Sequence, residues 1–358
     1  MNAYQEGDDN MKELKTFGWY AARVSPALPK EAFQPVPTRL IGGLAFLTVV
    51  VASIMAISLF QLPWFLNIIL ALVIGFSFSS MGFLGHEILH GTVVRTPWLR
   101  NFLGAVFFWP LCTGPRLWRK WHNIEHHVHT QDEIKDPDAW PTVNKATQNF
   151  IVRAVYKLPL SVRSLFGFFF LAIQFSLHSS NMFKLYIKEF TGKNRAAVVM
   201  QLVLPWASWI GLLLLIGPVK WFFAFLLPLL IANMIVMGYI STNHRLNPLV
   251  DVNDPLANCL TVTVPKWVDV LHFNFSYHTE HHLFPAMNPK YYPLVKEEIL
   301  KQWPDRYHQM SLARALITLY KTPRVYHEKN ELFDPHGNAA YQTLGNGLDP
   351  KEIQYRKL

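Results

Sequence analysis

Four stretches of this 358-residue chain are long and apolar enough to cross a lipid bilayer, which fixes the solvent that its fold must satisfy. A helix needs about 20 apolar residues to span the hydrocarbon, and there every backbone polar group must be satisfied internally. The stretches are Leu40–Leu62, Trp64–Leu84, Ala197–Ile216 and Trp221–Ile240. Little more than Pro63 joins the first two, and Gly217–Lys220 joins the last two, so each pair is predicted to form a tight helical hairpin. Composition agrees, since only 16% of residues are charged against about 25% in a soluble domain. The net charge of +9 is spread without a continuous basic run. It is read as Lys and Arg kept in cytoplasmic loops, and no nucleic-acid partner is expected.

Two further segments are apolar. Phe102–Cys112 is too short to span, while Leu160–Leu177 is long enough but holds Arg163 and Gln174 and ends at His178. If the histidine clusters on either side of it build one site, the chain between them crosses an even number of times. The pair within 197–240 already supplies two crossings, so Leu160–Leu177 is predicted to lie along the interface. The hairpin tips carry only Lys220, whereas Arg95, Arg100, Arg116, Arg119, Lys120, Lys135, Lys145, Arg153 and Lys157 precede the interfacial segment. That bias puts both termini and all the histidine clusters in the cytoplasm. Met1 to Lys15 is polar with both charge signs, unlike a signal peptide. Cys112 and Cys259 lie far apart with no CxxC spacing, which argues against a disulfide framework and a thiolate metal site.

The expected fold is all-α, a polytopic membrane protein with four transmembrane helices in two hairpins and a cytoplasmic helical cap holding a di-metal site. Residues 1–39 form a cytoplasmic N-terminal segment and 40–91 the first hairpin. Residues 92–196 form a cap segment with the interfacial helix, 197–242 the second hairpin and 243–329 the rest of the cap. Residues 330–358, rich in polar residues, form a loosely ordered tail.

Fifteen histidines are many for this length, and most are clustered. His86-Glu87-Ile88-Leu89-His90 follows the second span, and its i, i+4 imidazoles share a helix face. Alone it is also H-E-x-x-H, the zinc-protease pattern in which Glu acts as general base. His122, His126 and His127 form a second cluster, with His122 and His126 again at i, i+4 and His127 about 100° further round, placed to serve a neighbouring metal. His278, His281 and His282 form a third at i, i+3 and i+4, predicted to share one face, and His244 follows the fourth span. One zinc needs three or four protein ligands; these nine histidines suit two metals with a position left for water or O2. Imidazole suits Zn, Cu, Fe and Ni, but zinc has no redox chemistry, and O2 activation at a membrane favours iron. His129, His178, His272, His308, His327 and His336 fall outside the pattern and read as ordinary surface or hydrogen-bonded residues.

These clusters resemble the three histidine boxes of the membrane fatty-acid desaturase and hydroxylase superfamily: His86-x-x-x-His90, His122-x-x-x-His126-His127 and His278-x-x-His281-His282. His244 is similar to the extra histidine that the family places between the last span and the third box. The resemblance covers roughly residues 40–300, and Glu280-His281-His282-Leu283-Phe284-Pro285 is most like acyl-lipid and front-end desaturases. Front-end enzymes often begin the third box with Gln, where this chain has His278, a departure that counts against that subgroup. The resemblance implies two iron ions, O2, a fatty-acyl lipid substrate and an external electron donor of ferredoxin or cytochrome b5 type. It also implies a multi-pass protein, in the plasma membrane if the host is bacterial.

Glu87, Glu125 and Glu280 sit beside box histidines and are candidates to accept imidazole N–H groups; the alternative for each is a solvated charge. Asp136 and Asp138 are stronger candidates, since family members often carry acidic residues after the second box. Phe107, Phe108, Trp109, Trp118, Trp121 and Trp140 suit either an acyl tunnel or interfacial anchors. Arg116, Arg119 and Lys120 suit a phosphate headgroup, an acidic donor, or the positive-inside bias alone. The leading expectation is a double bond introduced into an acyl chain. A hydroxylase or carotenoid ketolase is the alternative within the same chemistry, and an intramembrane zinc protease or a metal transporter lies outside it.

Overall fold

A computed structural model describes residues 13–139, 142–322, 325–334 and 340–350. The chain is mostly helical. After α1 (Phe17–Val24) come two long apolar helices, α2 (Arg39–Leu59) and α3 (Trp64–His90), separated by the short link that holds Pro63. Gly91 ends α3 in the left-handed conformation, φ 84°, which glycine adopts without steric penalty. The two helices approach closely because Gly43 has no side chain: a Cβ there would lie 2.3 Å from Leu84 Cδ2 and 2.6 Å from Phe107. Phe107 belongs to α4 (Pro97–Phe108), the segment too short to span.

The chain then passes through α5 (Pro115–Trp118) and a π-helical stretch, Arg119–His126, to the long α6 (Leu160–Tyr186). Next come α7 (Gly192–Trp221) and α8 (Leu227–His244), linked by a second π-helical stretch, Phe222–Leu226. Four helical stretches are long and apolar enough to cross a membrane: Arg39–Leu59, Trp64–His90, Leu160–Glu189 and Gly192–His244. Their number matches the expectation but their identity differs, because the last contains both later apolar runs and Leu160–Glu189 also qualifies. Within Gly192–His244 the helical path breaks at Gly217, φ 79° and ψ 166°. Beyond it the Trp221 indole donates to Trp209 O at 2.7 Å, and Phe225 stacks on Trp209 at 4.3 Å. Lys220 Nζ donates to Ser58 O at 2.7 Å, so the turn after α2 and the turn at Gly217 meet.

Ile41, Leu59, Trp64, Leu214 and Leu215 are each more than two-thirds exposed. An apolar surface of that extent suits lipid, not water. α6 is tied down at both ends. Near its start Arg163 pairs with Asp334 at 2.6 Å and Ser164 donates to Tyr320 O. Just past its end Glu189 pairs with Lys120 at 2.8 Å. Midway, Ser176 N donates to Asn233 Oδ1 of α8 at 3.1 Å.

Short helices fill the layer beyond His90 and His244: α9 (His278–Leu283), α10 (Tyr292–Gln302) and α11 (Leu312–Lys321). The all-α expectation needs one amendment. Strand β1 (Thr261–Thr263) pairs in parallel with β2 (Gln309–Ser311), and β3 (Tyr326–Glu328), β4 (Glu331–Phe333) and β5 (Ala340–Gln342) form an antiparallel sheet. The described part of the tail after Asn330 is therefore structured, contrary to expectation. Buried Tyr326 and Leu332 anchor it, and Tyr326 Oη donates to Asn247 O at 2.6 Å. Strands this short show no apolar period in the sequence. Trp140 and His336 lie outside the described residues.

Candidate metal centre

The nine clustered histidines meet at the ends of α3 and α8, where the π-helical stretch and α9 close over them. His86, His90, His122, His127 and His281 each offer a nitrogen, all five within 4.8 Å of one another. Three Nε2 pairs are in direct approach: His86–His122 at 3.1 Å, His122–His127 at 3.2 Å and His127–His281 at 3.1 Å. Beside them His244, His278 and His282 form a second group, with His244 and His278 Nε2 at 2.7 Å. The His126 ring lies 4.9 Å from His244 and 5.1 Å from His282. His127 stacks on His282 at 4.3 Å, so the two groups share a wall.

This division differs from the one that helical spacing suggests. In an α-helix His122 and His126 would share a face. The stretch is a π-helix, whose i to i+5 repeat aligns His122 with His127; His126 still offers a nitrogen within 4.8 Å of one on His122 and of an Asp138 oxygen, while its ring also borders His244 and His282. In α9 the expected common face is divided too, with His281 in the first group and His278 and His282 in the second.

The donor set fits metal ions on an observation independent of residue type. Metal–imidazole bonds are about 2.0–2.1 Å, so two such nitrogens at right angles on one ion lie about 3 Å apart. The approaches above have that spacing. Without a cation they are unfavourable, because His122 and His127 Nε2 each face two other ring nitrogens, more than one ring proton can satisfy. His90 Nε2 and His282 Nε2 are buried without a hydrogen-bond partner, as expected of nitrogens reserved for a metal. Burial, then the neighbouring imidazoles, hold the pKa of His122, His127, His278, His281 and His282 well below the usual histidine range. That keeps these rings in the neutral form that metals bind.

The outward nitrogens are held by the surrounding chain. His244 Nδ1 meets Asn258 O at 2.9 Å, His281 Nδ1 meets Tyr292 Oη at 3.1 Å, and His282 Nδ1 meets Thr130 Oγ1 at 3.3 Å. Asn243 contacts His278 Nδ1 at 2.9 Å. Turned over, its carboxamide would present Oδ1, otherwise without a partner, as acceptor for that N–H. His126 Nδ1 meets Asp136 Oδ1 at 2.9 Å, and Asp136 Oδ2 accepts Gln131 N at 2.7 Å. Burial lowers the His126 pKa, but the Asp136 charge and hydrogen bond outweigh it and carry the value up to about 9.

Of the five carboxylates expected near the histidines, two touch one. Asp136 bonds His126; Asp138 lies 3.7 Å from His126 and 2.7 Å from His178 Nε2. Burial opposes ionisation of Asp138, yet His178 and His126 hold its carboxyl below the usual range. The three glutamates face elsewhere, because a helix turns about 100° per residue and a neighbour of an inward histidine points away. Glu87 is gripped by Arg39, at 2.7 Å to Nε and 2.8 Å to Nη2. Glu125 pairs with Lys120 at 2.5 Å, and Glu280 accepts from Thr261 at 2.7 Å and Tyr307 at 2.5 Å. Arg39, Asn243, Asn258 and Tyr292 carry no recognisable motif and are evident only in three dimensions. His178 joins the site through Asp138 and an edge contact with Trp121, 5.6 Å between rings. Cys259 Sγ lies within 4.8 Å of the second group's nitrogens. Burial, then Asp254 and Glu280, raise its pKa well above the usual thiol range, and it donates to Asn258 Oδ1.

A cavity of about 230 Å³ opens onto His86, His122, His126, His244 and His278, walled on its apolar side by Phe175, Met237, Ile240 and Phe275. Trp118 and Trp121 also line it, so two of the aromatics singled out from the sequence border the site. A larger open cleft of about 720 Å³, between Asp251, Arg306 and Lys329, contains none of the nine histidines.

Comparison with known proteins adds the chemistry of relatives. Residues 62–313 match the profile of the family described as fatty acid desaturase. The chain is 25% identical over 293 residues to the sn-1 oleoyl-lipid 12-desaturase of Anabaena variabilis, covering 78% of this chain and 82% of that enzyme. It is 24% identical over 333 residues to the protein of the same description from Synechocystis sp., covering 89% and 90%. Over 123 residues, 34% of each chain, it is 27% identical to the sn-1 acyl-lipid omega-3 desaturase (ferredoxin) of Synechocystis sp..

Proposed function

The chain belongs to the fatty acid desaturase family, and from that premise we propose that it is an O2-dependent di-iron desaturase acting on a fatty-acyl chain of a membrane lipid. The observation that carries this reading is the pair of adjoining, buried imidazole groups with Nε2 atoms in mutual approach at 2.7–3.2 Å. His86, His90, His122, His127 and His281 would hold one iron, and His126, His244, His278 and His282 would hold the other. When bound, the two ions supply the one-electron redox chemistry that activates O2. The net change is removal of one hydrogen from each of two adjacent methylenes. With two electrons and two protons from outside, O2 leaves as two waters. A ferredoxin or cytochrome b5 type protein is the proposed donor.

The chain's own residues set geometry. Asp136 orients His126, and Asn258, Tyr292 and Thr130 orient His244, His281 and His282; such partners fix ring orientation and basicity. Phe175, Met237, Ile240 and Phe275 offer the cavity's apolar wall to a hydrocarbon chain and keep water from the reacting carbons. Glu87, the residue a zinc protease would use as base, is neutralised by Arg39, and its neighbouring histidines are engaged with three others. Both facts speak against the protease reading.

The proposed topology keeps two helical hairpins, α2–α3 and α7–α8, under a cytoplasmic cap, with both termini in the cytoplasm. Its support is the meeting of Ser58 with Lys220 at one level and, at the other, the adjoining of His90's group and His244's group through His127 and His282. α6 is assigned to the interface because both of its ends bond into the histidine-bearing layer.

Lipid analysis of a host expressing the chain tests the activity. Acyl chains two hydrogens lighter, absent with a His281→Ala variant, are the expected result. Chains gaining one oxygen would favour the hydroxylase alternative, and an unchanged profile with an iron-loaded protein and a competent donor would overturn both.

A further inference from the structure

Three arginines next to the histidine centre have no anionic partner. Arg100 of α4, Arg116 of α5 and Arg119 at the start of the π-helical stretch are half-buried, and the Nε of each is removed from water without a hydrogen-bond acceptor. Among the described residues, the side chains of Arg100 and Arg119 make no hydrogen bond or salt bridge, and the Arg116 side chain donates only to the neutral Asn194 Oδ1, at 2.9 Å. Burial, then the charges of Arg100 and Arg116, lower the pKa of Arg119, and no carboxylate opposes them. Lys120, Arg163 and Arg306, by contrast, have carboxylate partners: Glu125 and Glu189, Asp334, and Asp254. Positive-inside bias accounts for the charges but not for grouping three of them, each half-buried with its Nε out of water, without a counter-ion. Like charges grouped and partly removed from water are unfavourable unless an anion joins them.

Depth identifies the kind of anion. Arg100 Nη1 lies 3.4 Å from the position a Cβ on Gly91 would take, at the level where α3 ends. On the other face of α4, Trp98 and Phe102 are 69% and 59% exposed, the placement of aromatic anchors at a membrane boundary. Guanidinium groups match phosphate oxygens with paired, charge-assisted hydrogen bonds. We propose that Arg100, Arg116 and Arg119 form a binding site for a phosphate-class anion, the headgroup of a membrane phospholipid. The site shares no residue with the histidine groups; Trp118, next to Arg119 in the chain, packs its ring against His86, His90 and His122.

The test is equilibrium binding of radiolabelled dioctanoyl phosphatidylglycerol to the full chain, purified in a neutral maltoside detergent with its metal. Affinity is expected to fall at least about tenfold in Arg119→Gln and further in Arg100→Gln/Arg119→Gln, with metal content unchanged. Arg119→Lys, which keeps the charge but not the fork, should fall between. Dioctanoylglycerol should fail to compete. Inorganic phosphate should compete only at concentrations far above the lipid's; equal competition would assign the site to a free anion and overturn the lipid assignment. Unaltered lipid binding in Arg119→Gln overturns the proposal outright. So does a loss confined to turnover driven by an acidic donor protein, with lipid binding intact, which would assign the arginines to that partner. Because binding is read without turnover, its result is independent of whether the metal centre desaturates.

Discussion

At the scale of the residue, what matters is which ring nitrogen faces the centre of the histidine cluster and which atom holds it there. His126 is the clearest case, with one ring nitrogen on Asp136 and the ring beside His244 and His282. Asp136→Asn removes the charge while nearly keeping the shape. It is expected to weaken metal binding in the second group by about 10–100-fold, read by titrating the protein with a chelator. Arg39 and Glu87 form the opposite case, a nearly buried pair whose side chains are 15% and 7% exposed. Removing one partner of such a pair costs about 3–5 kcal/mol. Arg39→Gln should therefore lower the melting temperature in detergent while leaving the stoichiometry of metal in the folded fraction unchanged. The nine histidines were legible because their clustering is improbable for any other reason. Glu87 and Asp136 were equally plausible as carboxylates in the sequence, and only the direction of each side chain separated them.

At the scale of the element, the π-helical stretch decides the grouping. Spacing read with 3.6 residues per turn pairs His122 with His126; the wider turn brings His127 to His122 as well, at 3.2 Å between Nε2 atoms. No sequence signal marks that widening, so the residues of the second cluster were evident and their division was not. Helix packing is the other determinant. Gly43 lets α2 lie against α3 and α4, with Leu84 and Phe107 closer to the missing Cβ than a side chain tolerates. Gly43→Ala should destabilise by about 1–3 kcal/mol, as overpacked cores do, measured as a fall in melting temperature without a change in absorbance of the metal-loaded centre. The break at Gly217 falls in the short link that the sequence places between two apolar runs.

At the scale of the whole molecule the proposed topology turns on α6. Length and apolarity alone count it among spanning helices, whereas one site built from the histidine clusters on either side of it requires an even number of crossings between them. The bonds at its two ends, Arg163 to Asp334 and Glu189 to Lys120, agree with the second view. Cysteines introduced at exposed Arg153 and Lys188, on either side of α6, should react with a membrane-impermeant maleimide from the same side; labelling from opposite sides would show that α6 crosses. Cys112 and Cys259 are buried and give a quiet background. The structured tail was not legible, because Tyr326 and Leu332 reach the core through three-residue strands.

The central claim is that two irons share nine imidazoles, and elemental analysis of the purified full chain tests it most directly, with His281→Ala and His278→Ala alongside. The account predicts about two irons per chain in the unaltered protein and a loss of iron in each variant, one for each group. One zinc per chain, retained in both variants, would contradict it.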